Sequence, residues 1–120
     1  MDYFRRNKVN IQIFGRSKCF DTKKAERYFK ERKIKYQLID INRYGLSPRE
    51  QESVKDAVGV KDMFDEEGKE AKRLALKNLG EGTYALSVLF NNPKLYKTPI
   101  VRNGRKVTIG YHPEVWGLWE

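Results

Sequence analysis

Val9-Asn10-Ile11-Gln12-Ile13-Phe14, running into Gly15-Arg16-Ser17-Lys18-Cys19, is the stretch from which the fold can be read. Apolar and polar residues alternate and then give way to an apolar end, the pattern of a strand entering a core. Gly15 to Lys18 breaks that pattern. From Phe20 to Lys33 the period becomes helical: Phe20, Ala25, Tyr28 and Phe29 fall mostly on one side, and Lys23, Lys24, Arg27, Lys30, Arg32 and Lys33 occupy the rest. Ile34-Lys35-Tyr36-Gln37-Leu38-Ile39-Asp40-Ile41 alternates again and reads as a second strand. Strand, helix and strand within about 33 residues is the size of a right-handed βαβ unit.

Working outward, Asn42 to Leu46 reads as a loop. Ser47-Pro48-Arg49-Glu50 reads as a helix start, with Ser47 as N-cap, Pro48 at the first helical position and Glu50 placed for a capping box. From Pro48 to about Asn91 the chain reads as interrupted helix, with breaks at Gly59, Gly68, Gly80 and Gly82. Leu74, Leu76, Leu79, Tyr84, Leu86, Val88, Leu89 and Phe90 offer its apolar faces. Strand-like sequence returns at Pro99-Ile100-Val101-Arg102, turns at Asn103-Gly104 and continues through Lys106 to Gly110, a hairpin signal. His112-Pro113-Glu114-Val115-Trp116 begins a closing helix, with Trp116 and Trp119 read as its packing onto the sheet. The order βαβ, helical insertion, ββα predicts an α/β fold with a four-stranded mixed sheet, the thioredoxin-like architecture. The chain reads as one domain over residues 1–120, with the insertion at about 47–91.

Composition bounds the function. The 120 residues suffice for a single core, and 39% hydrophobic against 34% charged residues describes a water-facing but folded chain. Lys plus Arg number 25 against 16 acidic residues, a formal net charge of +9. That excess suits either a solvated surface or an acidic partner, and composition does not choose between them. No apolar run approaches the roughly 18–20 residues of a membrane helix. Met1 to Lys8 carries no apolar h-region and no small-residue cleavage site, so no secretory signal is expected and the cytoplasm is the expected compartment. One cysteine excludes an intramolecular disulfide or a cysteine-rich zinc site, and one histidine argues against a histidine-based metal site, so none is expected.

Any chemistry must therefore run on one thiol, carboxylates, backbone amides or basic side chains. Cys19 lies between the first strand and the first helix, where free backbone N–H groups and the positive end of the helix dipole favour a thiolate. Arg16 and Lys18 are expected to push the same way by charge, and Asp21 to oppose them. Thr22, three residues on, occupies the place of a resolving cysteine; its hydroxyl can donate to the sulfur anion but cannot close a disulfide. The bland alternative makes Cys19 an incidental small residue at a helix start. Its placement, and Thr98-Pro99 ahead of the third strand, favours a reactive thiol. In a thioredoxin-like fold that proline is expected to be cis and to face the cysteine.

At this point the chain resembles the ArsC/Spx family of arsenate reductase-like and glutaredoxin-like proteins. The likeness rests on Phe14-Gly15-Arg16-Ser17-Lys18-Cys19-Phe20-Asp21-Thr22, the helical insertion, Lys97-Thr98-Pro99-Ile100-Val101 and Gly110-Tyr111-His112-Pro113-Glu114-Val115, and covers about Val9 to Trp116. It implies a monothiol thiol-disulfide oxidoreductase with Cys19 as nucleophile and Arg16, Lys18, Thr22, Thr98 and Pro99 around the substrate. An external thiol resolves the adduct: no bound cofactor is implied, but glutathione or another low-molecular-weight thiol serves as co-substrate. The implied partners are a small thiol or a protein disulfide.

Two departures shape the alternatives. Arsenate reductases of the glutathione-coupled kind surround the oxyanion with arginines. Here Val60 to Asp65, Thr98 and Gly110-Tyr111-His112 supply none, and Arg16, Lys18, Lys97 and Arg102 would have to substitute. Spx-type regulators bind RNA polymerase and sense oxidants through a CxxC switch, which Thr22 makes unworkable. A Spx-like adaptor that binds RNA polymerase without catalysis is therefore the alternative reading, and arsenate reduction the third. His112 reads as a helix-start residue without a recognisable partner. Asp62, Asp65, Glu66 and Glu67 read as a solvated bend, and the basic stripe of the first helix as its wet face. No basic-aromatic motif points to direct nucleic-acid binding.

Overall fold

The computed structural model describes residues 10–119. It divides into two compact units, one made of the described residues up to Ile39 with those from Thr98 on, the other of Asp40–Lys97. The first carries the sheet. Strands β1 (Ile11–Gly15), β2 (Tyr36–Asp40), β3 (Ile100–Asn103) and β4 (Lys106–Ile109) lie in the order β2-β1-β3-β4. β3 runs antiparallel to β1, with Ile13 opposite Val101 and Phe14 opposite Ile100, and antiparallel to β4. The sheet is mixed and α/β, as the element order predicts. β1 has a neighbour on each side, and its Ile11, Ile13 and Phe14 are buried; the edge strand β2 exposes three of its five residues.

Helix α1 (Phe20–Glu31) buries Thr22, Ala25, Tyr28 and Phe29. Phe20 corrects the expected apolar face: it is 79% exposed. At about 100° per residue, Phe20 stands roughly 160° round the axis from Thr22, so a stripe that buries Thr22 turns Phe20 to solvent. The helix ends two residues before Lys33, which takes a left-handed φ of 59° while Ile34 N–H returns to Phe29 O at 2.9 Å. The expected loop after β2 begins instead as a one-turn helix, α2 (Ile41–Tyr44), because the Asp40 carboxylate accepts from Asn42 N–H at 3.0 Å and caps it.

The hairpin is shifted by one residue from expectation. Asn103 pairs with Lys106, so Gly104 and Arg105 form the turn, with Gly104 at φ +64°. Asn103 stays in the strand, where its side-chain oxygen accepts from Asn10 N–H at 3.1 Å.

The core of this unit gathers Ile11, Ile13, Ala25, Tyr28, Phe29, Val101, Trp116 and Trp119. Trp116, at the end of the closing helix (Pro113–Trp116), stacks at 5.1 Å from Phe29 and 5.2 Å from Tyr28 between ring centroids. Its indole N–H donates to the Thr108 hydroxyl at 2.8 Å, satisfying two buried polar groups at once.

In the second unit, α3 (Pro48–Val58) carries the expected capping box: Glu50 N–H donates to Ser47 Oγ at 3.1 Å, and Ser47 N–H to Glu50 Oε1 at 2.8 Å. α4 (Val60–Met63), α5 (Lys69–Arg73), α6 (Thr83–Asn91) and a 3-10 turn (Pro93–Leu95) follow. Of the apolar residues expected to pack the later helices, Leu89 is buried, whereas Tyr84 and Phe90 are 70% and 40% exposed. Among the described residues no helix is long and apolar enough to cross a membrane.

Trp116→Ala should lower the unfolding free energy by about 3–5 kcal/mol, the ordinary cost of truncating a buried aromatic. Thr108→Val, which strands the indole N–H, should cost about 1–3 kcal/mol. Urea denaturation followed by circular dichroism measures both.

Candidate functional site

β1 ends at Gly15, a turn occupies residues 16–18, and Cys19 is the N-cap of α1, with φ −96° and ψ 115°. Cys19 N–H closes the turn onto Arg16 O at 3.1 Å, and Lys23 N–H donates to Cys19 O at 3.3 Å as the helix begins. Gly15 has a packing reason: a Cβ there would run into the Thr22 methyl and stand only 2.6 Å from its hydroxyl oxygen. With no side chain at Gly15, the buried Thr22 can sit directly beneath the turn.

β3 supplies the opposite wall. The Thr98-Pro99 peptide bond is cis, as the fold reading expects, and Pro99 O accepts from Gly110 N–H at 2.8 Å. The Thr98 hydroxyl donates to Cys19 Sγ at 3.3 Å, and the thiol can donate to Thr98 O at 3.6 Å. Pro99 is buried, whereas Thr98 and Cys19 are half-buried. Five of the six expected site residues thus share one place, but Lys18 only borders it and points to solvent.

Partial burial by itself raises the Cys19 pKa. Hydrogen bonds from the Thr22 and Thr98 hydroxyls and from the backbone of Thr22 and Asp21 outweigh it and bring the thiol below its ordinary value. The donors are the helix-start backbone and the Thr22 hydroxyl, as expected, joined by the Thr98 hydroxyl; the charges of Arg16 and Lys18 are not among the causes. Asp21 is not opposed to the site as expected, because its backbone donates while its carboxylate reaches toward Lys24 at 4.0 Å.

The Arg16 side chain is engaged elsewhere than on a ligand. Its Nη1 donates to Thr98 Oγ1 at 3.0 Å, and its backbone N–H donates to Thr22 Oγ1 at 3.3 Å. Sequence reasoning valued Thr98 for its backbone and missed its side chain. Arg102 donates to Gln12 Oε1 at 2.7 Å across the β1–β3 pair. His112 does have partners: Nε2 lies 2.8 Å from Ile109 O and Nδ1 3.2 Å from Glu114 Oε2, which ties it to the start of the closing helix. Among the described residues no group of three or more His, Cys, Asp or Glu is gathered as a metal site.

The ArsC family model matches residues 14–118. The global transcriptional regulator Spx 2 of Oceanobacillus iheyensis is 32% identical over 110 residues, covering 88% of this chain and 80% of the regulator. Among solved structures, an ArsC family related protein from Bacteroides fragilis superposes with a TM-score of 0.82 at 25% identity, covering 92% of this chain and 97% of the other. The arsenate reductase from Vibrio cholerae, at 20% identity, TM-score 0.76 and coverage of 89% and 94%, shares the fold.

The rate of Cys19 alkylation by iodoacetamide should rise with pH to a half-maximum below about 8.5, the midpoint of an unperturbed thiol. The sign follows from donors that favour the anion: they leave more thiolate at neutral pH. Gly15→Ala, by driving Thr22 away from the turn, should move that midpoint upward and lower the melting temperature.

Proposed function

The chain belongs to the ArsC family, and from the chemistry gathered at Cys19 we propose that it exchanges disulfides through this single thiol. The observation that carries the reading is the convergence of two hydroxyls and the helix-start backbone on one half-buried sulfur. The Cys19 thiolate attacks one sulfur of a disulfide R–S–S–R′. The S–S bond breaks, a Cys19–S–S–R mixed disulfide forms, and R′S⁻ leaves with the electron pair and takes a proton from water. Thr22 has no sulfur to offer, so an external low-molecular-weight thiolate, glutathione or a related compound, attacks the R sulfur and releases Cys19 as the thiolate.

The leaving Cys19 benefits from the same donors, since a better-stabilised thiolate leaves faster. In this reading the backbone at Thr98-Pro99 lines up the incoming chain, and the exposed Lys18 offers a positive charge to the carboxylates of a small thiol. A compartment rich in reduced small thiols, such as the cytoplasm, suits the cycle.

The likeness to the Spx 2 regulator supports a second reading, a domain that docks on RNA polymerase without catalysis. Arsenate reduction has less support, because the guanidiniums of Arg16 and Arg102 are already held by Thr98 and Gln12.

In a glutathione-coupled assay with a mixed-disulfide substrate, Cys19→Ser should lose turnover to the uncatalysed background. Turnover that survives the substitution overturns the exchange reading. Absence of turnover in the unsubstituted protein, with RNA polymerase captured equally by both forms, selects the adaptor instead.

A further inference from the structure

We propose that Arg16 is a positioning residue, which holds the hydroxyls of Thr22 and Thr98 so that both turn their protons onto the Cys19 sulfur. This rests on the exchange reading of Cys19 and assigns Arg16 a different task from contacting substrate.

A threonine hydroxyl has a single proton, and it can accept as well as donate. A guanidinium and a backbone N–H can only donate. Arg16 meets Thr22 Oγ1 through its backbone N–H at 3.3 Å and Thr98 Oγ1 through Nη1 at 3.0 Å. Toward Arg16 each oxygen must therefore accept, which leaves each proton for another acceptor. The sulfur is that acceptor, 3.3 Å from Thr98 Oγ1 and hydrogen-bonded also by the Thr22 side chain. A hydroxyl that accepts from a cation is itself a stronger donor. The thiol proton has its own acceptor in Thr98 O at 3.6 Å, so ionisation frees the sulfur to receive both hydroxyls.

The other charges around the sulfur do not perform this task. Lys18 is exposed, Asp21 reaches toward Lys24 at 4.0 Å, and Lys23 is an exposed residue of the helix. On the strand side Thr98 and Pro99 are uncharged, and Arg102 is bound to Gln12. Because one of the two contacts comes from the Arg16 backbone, replacing the side chain removes the contact to Thr98 and leaves the one to Thr22 in place.

The test is the pH profile of Cys19 alkylation by iodoacetamide in six forms: unsubstituted, Arg16→Met, Thr98→Val, the double variant, Thr98→Ser, and Arg16→Met combined with Thr98→Ser. Circular dichroism checks that each is folded. Arg16→Met and Thr98→Val should each raise the midpoint, by about one unit for loss of a hydrogen bond to an anion. The double variant should shift no further than Thr98→Val alone, and Thr98→Ser, which keeps a hydroxyl, should restore sensitivity to Arg16→Met. A full additional shift from Arg16→Met in the Thr98→Val background means that Arg16 acts by direct charge, and overturns the proposal. So does an unmoved midpoint in Arg16→Met. An ordinary midpoint in the unsubstituted protein instead defeats the reading of Cys19 itself. If Arg16→Met does not fold, Arg16→Ala takes its place in the same cycle.

Discussion

The pairing of Ile13 with Val101 and of Phe14 with Ile100 is the constraint behind the site. It sets the residue ahead of Pro99 beside the turn that ends β1, and so joins two segments that lie 79 residues apart at the Cys19–Thr98 contact. Side chains alternate along a strand, so a slip of one residue in this register would exchange the side chains of two faces that are both buried here. Burial of Ile11, Ile13, Phe14, Ile100 and Val101 opposes such a slip, because each is at most 1% exposed. Apolar packing that has no chemistry of its own thus decides where the polar groups meet.

Two physical effects compete at the sulfur. Taking it partly out of water disfavours the anion, and that is the largest single influence on its ionisation. Each donated hydrogen bond returns part of what hydration supplied, and several together exceed the loss. The atom is half-buried, a position that keeps the fixed donors and leaves part of the sulfur open to solvent. Charge plays a smaller part than a net charge of +9 suggests, since Lys18, the residue just before Cys19, stays in solvent.

Much of this was legible in the residues, for reasons that can be named. Alternation in Ile11 to Phe14, the reciprocal Ser47 and Glu50 cap and the glycine breaks are local signals, and local structure obeys them. Cys19, Thr22 and Thr98-Pro99 could be singled out because chain order places them at the ends of adjoining elements. The misreadings share a different origin. Phe20 looked apolar and therefore inward, but a cap at Cys19 and a buried Thr22 set the rotation of the helix against it. The turn falls one residue past the expected place because Asn103 stays paired with Lys106 in the ladder, where its side chain accepts from Asn10 N–H. The bond from Arg16 to Thr98 spans 82 residues and depends on side-chain direction, which no spacing rule encodes.

One consequence concerns timing. The Thr98 hydroxyl comes late in the chain, after the whole second unit, whereas Cys19 is made early. A growing polypeptide that has not yet emerged as far as the third strand carries its sulfur without that donor. Until then the sulfur has only its local donors, those of Thr22 and Asp21, and the last one arrives with strand pairing.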